Sequence, residues 1–120
     1  MSATDQLDEL FGALASAPRR AIVTALTDGP VTTPQLGERF GFSKQALNRH
    51  VRELERCGLV HRRLDGRVHT LALAPDRLAP LTEWATLIAT AWEANLDRLG
   101  AVLDEPNRSR SNPPPESSAS

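Results

Sequence analysis

The chain has 120 residues, 40% of them hydrophobic and 24% charged, with a net charge of −1 and one cysteine. This is enough for one domain with a modest core, and it excludes an intrachain disulfide. There is no apolar run of the roughly 18 residues that a membrane span needs, and the acidic start MSATDQLDEL is unlike a secretory leader, so a cytoplasmic, nucleoid-associated protein is expected.

Leu7, Leu10, Phe11 and Leu14 recur at helical spacing and predict a first amphipathic helix over Asp5–Ala15. Ser16-Ala17-Pro18 ends it, and a second helix starts near Pro18 with Ile22, Val23 and Leu26 on its apolar face. A third, short helix follows Asp28-Gly29-Pro30. Thr33 caps it, Pro34 takes its first position, Leu36 and Phe40 face inward, and Gly41 stops it. Ser43 caps a fourth helix that buries Ala46, Leu47, Val51 and Leu54 and ends at Gly58.

Two strands, Leu59–Leu64 and Arg67–Leu73, flank Asp65-Gly66, a strong hairpin signal. Pairing Leu64 with Arg67 sets His61 across from Thr70 and His69 across from Arg62, so the two histidines point to different faces and share no metal. The last helix runs from about Leu78 to Leu103, with Leu81, Trp84, Ile88, Trp92, Leu96 and Leu99 three or four residues apart. From Glu105 the composition cannot bury enough apolar area to order itself. The expected organisation is one domain over residues 1–104 and a disordered tail over 105–120.

Charge is unevenly placed. Arg39 to His69 holds eight arginines and lysines against three acids, a net +5, which leaves −6 for the rest. A basic block in an acidic chain fits a surface that meets phosphates, or a solvated helix face with internally paired charges.

The third and fourth helices, joined at Gly41, read as a helix-turn-helix, and the hairpin behind them reads as a wing. The fold class is mainly α with a β-hairpin wing. A duplex major groove admits one helix. Gln45 and Asn48 carry a donor and an acceptor on one amide and can read adenine, while Arg49 can read guanine. Ser43, Lys44 and Arg52 on the helix, with Arg62, Arg63 and Arg67 on the wing, are the phosphate-contact candidates.

Ala13 to Leu103 resembles the ArsR family of winged-helix repressors. ALASAPRRAIV is similar to the family's entry to its second helix, with Arg19 at the usual arginine and the proline one place late. QLGERFGFSKQALNRHVRELERCGLVHRR is similar to its helix-turn-helix and wing start, with Ser43, His50, Leu54, Gly58, Leu59 and Val60 on characteristic positions. The resemblance implies a homodimeric repressor built from the first and last helices on an inverted-repeat operator. It also implies metal sensing, which these residues disfavour. Thr32 and Pro34 stand where a Cys-x-Cys pair is common, and the last helix has no histidine.

Among the remaining residues, His50 reads as a packing residue, Cys57 as a small buried one, and Trp84 and Trp92 as packing aromatics. A single winged domain cannot cover an apolar stripe as long as that of the last helix. A second copy can, with Leu7, Leu10, Phe11 and Leu14 completing the layer, and two-fold pairing then spaces the reading helices about 34 Å apart. The expected partners are double-stranded DNA and a second copy, with no metal or cofactor and no membrane; a small-molecule effector stays open. No nucleophile elbow, phosphate loop or His–carboxylate set supports an enzyme. The alternatives are a winged protein-interaction module and a MarR-type regulator, the latter disfavoured by the short first helix.

Overall fold

The computed structural model describes residues 2–102 in the order α1 (Ala3–Leu14), α2 (Ala17–Ala25), β1 (Val31–Thr32), α3 (Thr33–Phe40), α4 (Lys44–Arg56), β2 (Val60–Asp65), β3 (Val68–Leu73), a 3-10 turn (Pro75–Leu78) and α5 (Ala79–Val102). Leu103 and the tail expected over 105–120 lie outside the described residues. The chain divides into two units, Met1–Glu83 and Trp84–Ser120.

The starts of α1 to α4 are each fixed by a hydroxyl that satisfies a backbone N–H with no partner inside its helix. Ser2 accepts from Asp5 N (3.1 Å), Ser16 from Arg19 N (3.4 Å) and Ser43 from Ala46 N (3.0 Å). The α3 cap is Thr32 and not Thr33: Thr32 Oγ1 accepts from Gln35 N at 3.2 Å, and Thr32 N donates back to Gln35 Oε1 at 2.9 Å. This reciprocal box satisfies two groups where a cap at Thr33 would satisfy one. The end of α1 is closed from α2. Arg19 donates to the Ala13 and Gly12 carbonyls, and Arg20 donates to the Leu14 carbonyl at 2.7 Å, so two cations sit at the negative end of the helix dipole.

The sheet has three strands in the order β1-β3-β2. The hairpin pattern predicts only β2 and β3; β1 adds two pairs, Val31↔Leu71 and Thr32↔Thr70. The hairpin register also differs from expectation. Asp65 pairs with Val68, so the turn is Gly66-Arg67, and His61 opposes Ala72 while His69 opposes Leu64. Gly66 supplies the positive φ (65°) that the turn requires, and Asp65 stays in β2, accepting from Arg63 and Thr70. The two histidines still lie on opposite faces, because the shift is an even number of positions.

The core is drawn from every element of this unit: Leu10, Ile22 and Leu36 from the first three helices, Leu47, Val51 and Leu54 from α4, Leu59 and Val60 at the entry to the wing, and Leu71 from β3. Five of the fourth helix's thirteen residues, Lys44, Gln45, Arg49, Arg52 and Arg56, stay exposed on the side away from this stripe, so the helix is docked by one face only. Phe40, expected inside, is 36% exposed, and Phe42 packs against the core in its place. Gly41, between the two rings, reverses the chain with φ 73°.

Within the second unit α5 continues as helix to Val102. Its 24 residues span about 36 Å. No described helix is long and apolar enough to cross a membrane.

Candidate nucleic-acid interface

The αL turn at Gly41 and the Ser43 cap set where α4 begins, and the buried stripe Leu47–Val51–Leu54 sets its rotation. Together they leave Lys44, Gln45, Arg49 and Arg52 exposed and Asn48 half-buried. The surface has two strips. Gln45 and Arg49 lie outermost, one turn apart. Lys44, Asn48 and Arg52 line a cavity between α4, α3 and the wing, whose other walls include Thr33, Pro34, Glu38, Phe42, Arg62 and His69. Ser43 is exposed and spends its oxygen on the cap.

The wing cations are not equivalent. Arg62 and Glu55 form a double contact at 3.1 and 3.2 Å, with side chains 21% and 32% exposed, so Arg62 ties β2 to the end of α4. Arg63 contacts Asp65 at 3.2 Å on the open surface, where such a pair contributes about 0–1 kcal/mol and leaves the arginine free to exchange. Arg56 contacts Glu53 at 3.4 Å in the same way. The three acids of the basic block thus each meet one arginine. Among the described residues, Arg39, Lys44, Arg49, Arg52 and Arg67 form no ion pair, and they carry the block's net +5. Sequence counting gives the sum but not which five side chains hold it.

Behind the exposed strip, His50 packs against Phe42 with ring centroids 5.5 Å apart, and its Nδ1 is shielded with no hydrogen-bond partner among the described residues. Burial first, then the Arg49 and Arg19 charges, lowers its pKa below the ordinary 6.5. A histidine with a lowered folded pKa binds fewer protons folded than unfolded. The stability it contributes is therefore complete above 6.5 and is lost as pH falls below that value toward the folded pKa. Urea unfolding should show the parent losing stability between about pH 7.5 and about pH 5.5, and His50→Gln losing less over the same range. Equal losses would refute the assignment.

The expected interface residues also separate. Leu10 is 2% exposed and belongs to the core of its own unit, and Leu81 packs against that core, so neither has much surface to give a partner. Leu7 and Leu14 are half-buried and Phe11 is 42% exposed. On α5, Trp84, Ile88, Trp92, Leu96 and Leu99 are 43–59% exposed, and Leu87, which the three-and-four count passed over, is 65% exposed. Cys57 is half-buried, its thiol 3.4 Å from the Leu54 carbonyl. Among the described residues no three His, Cys, Asp or Glu side chains are grouped to hold a metal.

A family model described as MarR family matches residues 17–69, from the start of α2 into β3. The HTH-type transcriptional regulator Rv2034 of Mycobacterium tuberculosis is 35% identical over 81 residues, covering 68% of this chain and 76% of that protein. Two solved structures are similar along most of their length. An ArsR family transcriptional regulator, RHA00566, superposes with a TM-score of 0.69 at 30% identity, over 75% of this chain and 93% of that one. A possible transcriptional regulator for arsenical resistance superposes with a TM-score of 0.58 at 38% identity, over 84% of this chain and 98% of that one. The MarR match stops short of α1 and α5.

Proposed function

The chain belongs to the ArsR family of winged helix-turn-helix transcriptional regulators, and from that premise we propose that it is a homodimeric repressor of an inverted-repeat operator. The observation that carries this reading is the outward strip of α4. Gln45 and Arg49 stand outermost on its first turns with Asn48 half-buried beside them, and the helix's other side is locked into the core. Gln45 and Asn48 read adenine N6 and N7, and Arg49 reads guanine O6 and N7. Lys44, Arg52, Arg63 and Arg67 hold phosphates. The free N–H groups at the start of α4 beside Ser43 supply a further phosphate contact. The dimer forms through the apolar stripe of α5, with Phe11, Leu7 and Leu14 of α1. Transcription is blocked because the bound dimer covers promoter DNA.

The test is selection from a pool of randomised duplexes, followed by binding of the selected sequence across a salt series. The reading expects a two-fold symmetric sequence and affinity that falls steeply with salt. A winged module that binds only protein would give no salt-sensitive duplex binding.

The pairing pattern on the wing adds a sharper expectation. Arg67→Ala should flatten the log–log salt dependence of the dimer by about 2, because one unpaired cation near the turn is lost from each protomer. The double substitution Glu55→Gln with Arg62→Met deletes an ion pair and no net charge, and it should leave the slope where it was. If the double variant flattened the slope as much as Arg67→Ala does, Arg62 would be a phosphate ligand despite Glu55.

A further inference from the structure

The cavity between α3, α4 and the wing has a volume of about 660 Å³, within the range of small-molecule sites. Its chemistry is mixed in an ordered way. Pro34 and Phe42 supply an apolar, partly aromatic surface, and Gly37 adds bare backbone. Around them stand the donors Lys44, Asn48, Arg52, Arg62 and His69, against one carboxylate, Glu38. Lys44 and Arg52 belong to the five cations that form no ion pair among the described residues. A sugar–phosphate backbone satisfies such cations but has no flat aromatic face to lay on a phenyl ring and a proline. A flat aromatic body bearing one anionic group satisfies both.

We propose that this cavity is an effector site for a small aromatic anion, and that its occupant competes directly with DNA. The inference rests on the operator reading above, since Lys44, Asn48 and Arg52 serve both ligands. The aromatic body lies against Phe42 and Pro34. The anionic group lies toward Arg52, Lys44 and His69. With the site filled, those side chains are covered and α4 cannot enter a groove, so release of the operator needs no change of fold. For simple competition, ligand at ten times its dissociation constant raises the half-saturation concentration for operator about elevenfold.

The probe is 1-anilinonaphthalene-8-sulfonate, an aromatic anion whose fluorescence rises on leaving water. The full chain should bind it saturably, one per protomer, and selected operator duplex should displace it. Two variants examine the cavity itself. Gly37→Leu places a side chain on the cavity wall, where the first carbon would meet only the Phe42 carbonyl oxygen at 3.7 Å. His69→Ala removes a donor from the wing side. Each should weaken probe binding at least fivefold, with circular dichroism confirming that the variants fold. A parent that binds duplex but keeps its probe overturns the competition alone. A parent that binds no duplex overturns the operator reading and the competition with it. Unchanged probe affinity in both variants overturns the site, whatever the duplex does.

Discussion

Replacing Trp92 by glutamate should convert the protein from dimer to monomer at micromolar concentration and remove its tight operator binding. Trp92 is 59% exposed at the middle of a stripe that includes Ile88 and Leu96 one turn to either side. In a two-fold interface the same residue is lost from both copies. Truncating a central tryptophan typically costs about 2 kcal/mol or more, and an unpaired carboxylate buried in its place adds to that. A total of about 4 kcal/mol weakens dimerisation roughly a thousandfold. Operator affinity falls with it, because a monomer can place only one α4 in the groove. Sedimentation equilibrium on parent and variant reads the first effect directly. A variant that remains as dimeric as the parent would remove α5 from the interface. Leu10→Ala is the control, since Leu10 is 2% exposed within its own unit: it should lower the melting temperature before it affects assembly.

Arg49→Ala carries the second large expectation. Arg49 is exposed, forms no ion pair among the described residues, and sits one turn from Gln45 on the outermost strip. A bidentate arginine–guanine contact is worth about 1–3 kcal/mol of discrimination, so affinity for the selected operator should fall roughly 5- to 150-fold for each of the two half-sites. Affinity for random duplex should fall far less, because only one charge per protomer is lost. The ratio of the two is the diagnostic quantity. Equal losses on both sequences would make Arg49 a phosphate contact, and no loss on either would take it out of the interface.

What the sequence made legible was local. The cap at Ser43, the stripe Leu47–Val51–Leu54 and the stop at Gly58 are set by neighbours three or four residues away, and α4 follows from them. The apolar spacing of α5 is legible for the same reason. What depended on partners distant in the chain was not. Strand β1 is two residues long and exists because Val31 and Thr32 meet Leu71 and Thr70 some 40 residues later. The hairpin closes one residue later than Asp65-Gly66 suggests, because the positive φ falls on Gly66 and Asp65 keeps its contacts with Arg63 and Thr70. Arg62, a phosphate-contact candidate by its place on the wing, is tied across the junction of α4 and β2 to Glu55, seven residues earlier. Phe40, expected inside, is 36% exposed beside a glycine turn that composition marks but does not orient, and Phe42 beyond the turn packs on the core.

Within α4 the local and distant contributions meet. The cap and stripe fix the helix, and the packing of α2, α3 and the wing entry behind it fixes which side faces out. The candidate base-reading groups are therefore held by the core of the domain and not by a loop, which suits a site that must present several side chains at once.

The most direct measurement is operator affinity as a function of half-site spacing. Two α4 helices related by a two-fold axis should require half-sites about 10 base pairs apart, centre to centre. Inserting about 5 base pairs turns one half-site to the opposite side of the duplex and should reduce binding to that of a single half-site, while inserting about 10 should restore part of it if the α5 pairing yields. Binding indifferent to the insertion, or no salt-sensitive binding to any selected duplex, would contradict the account.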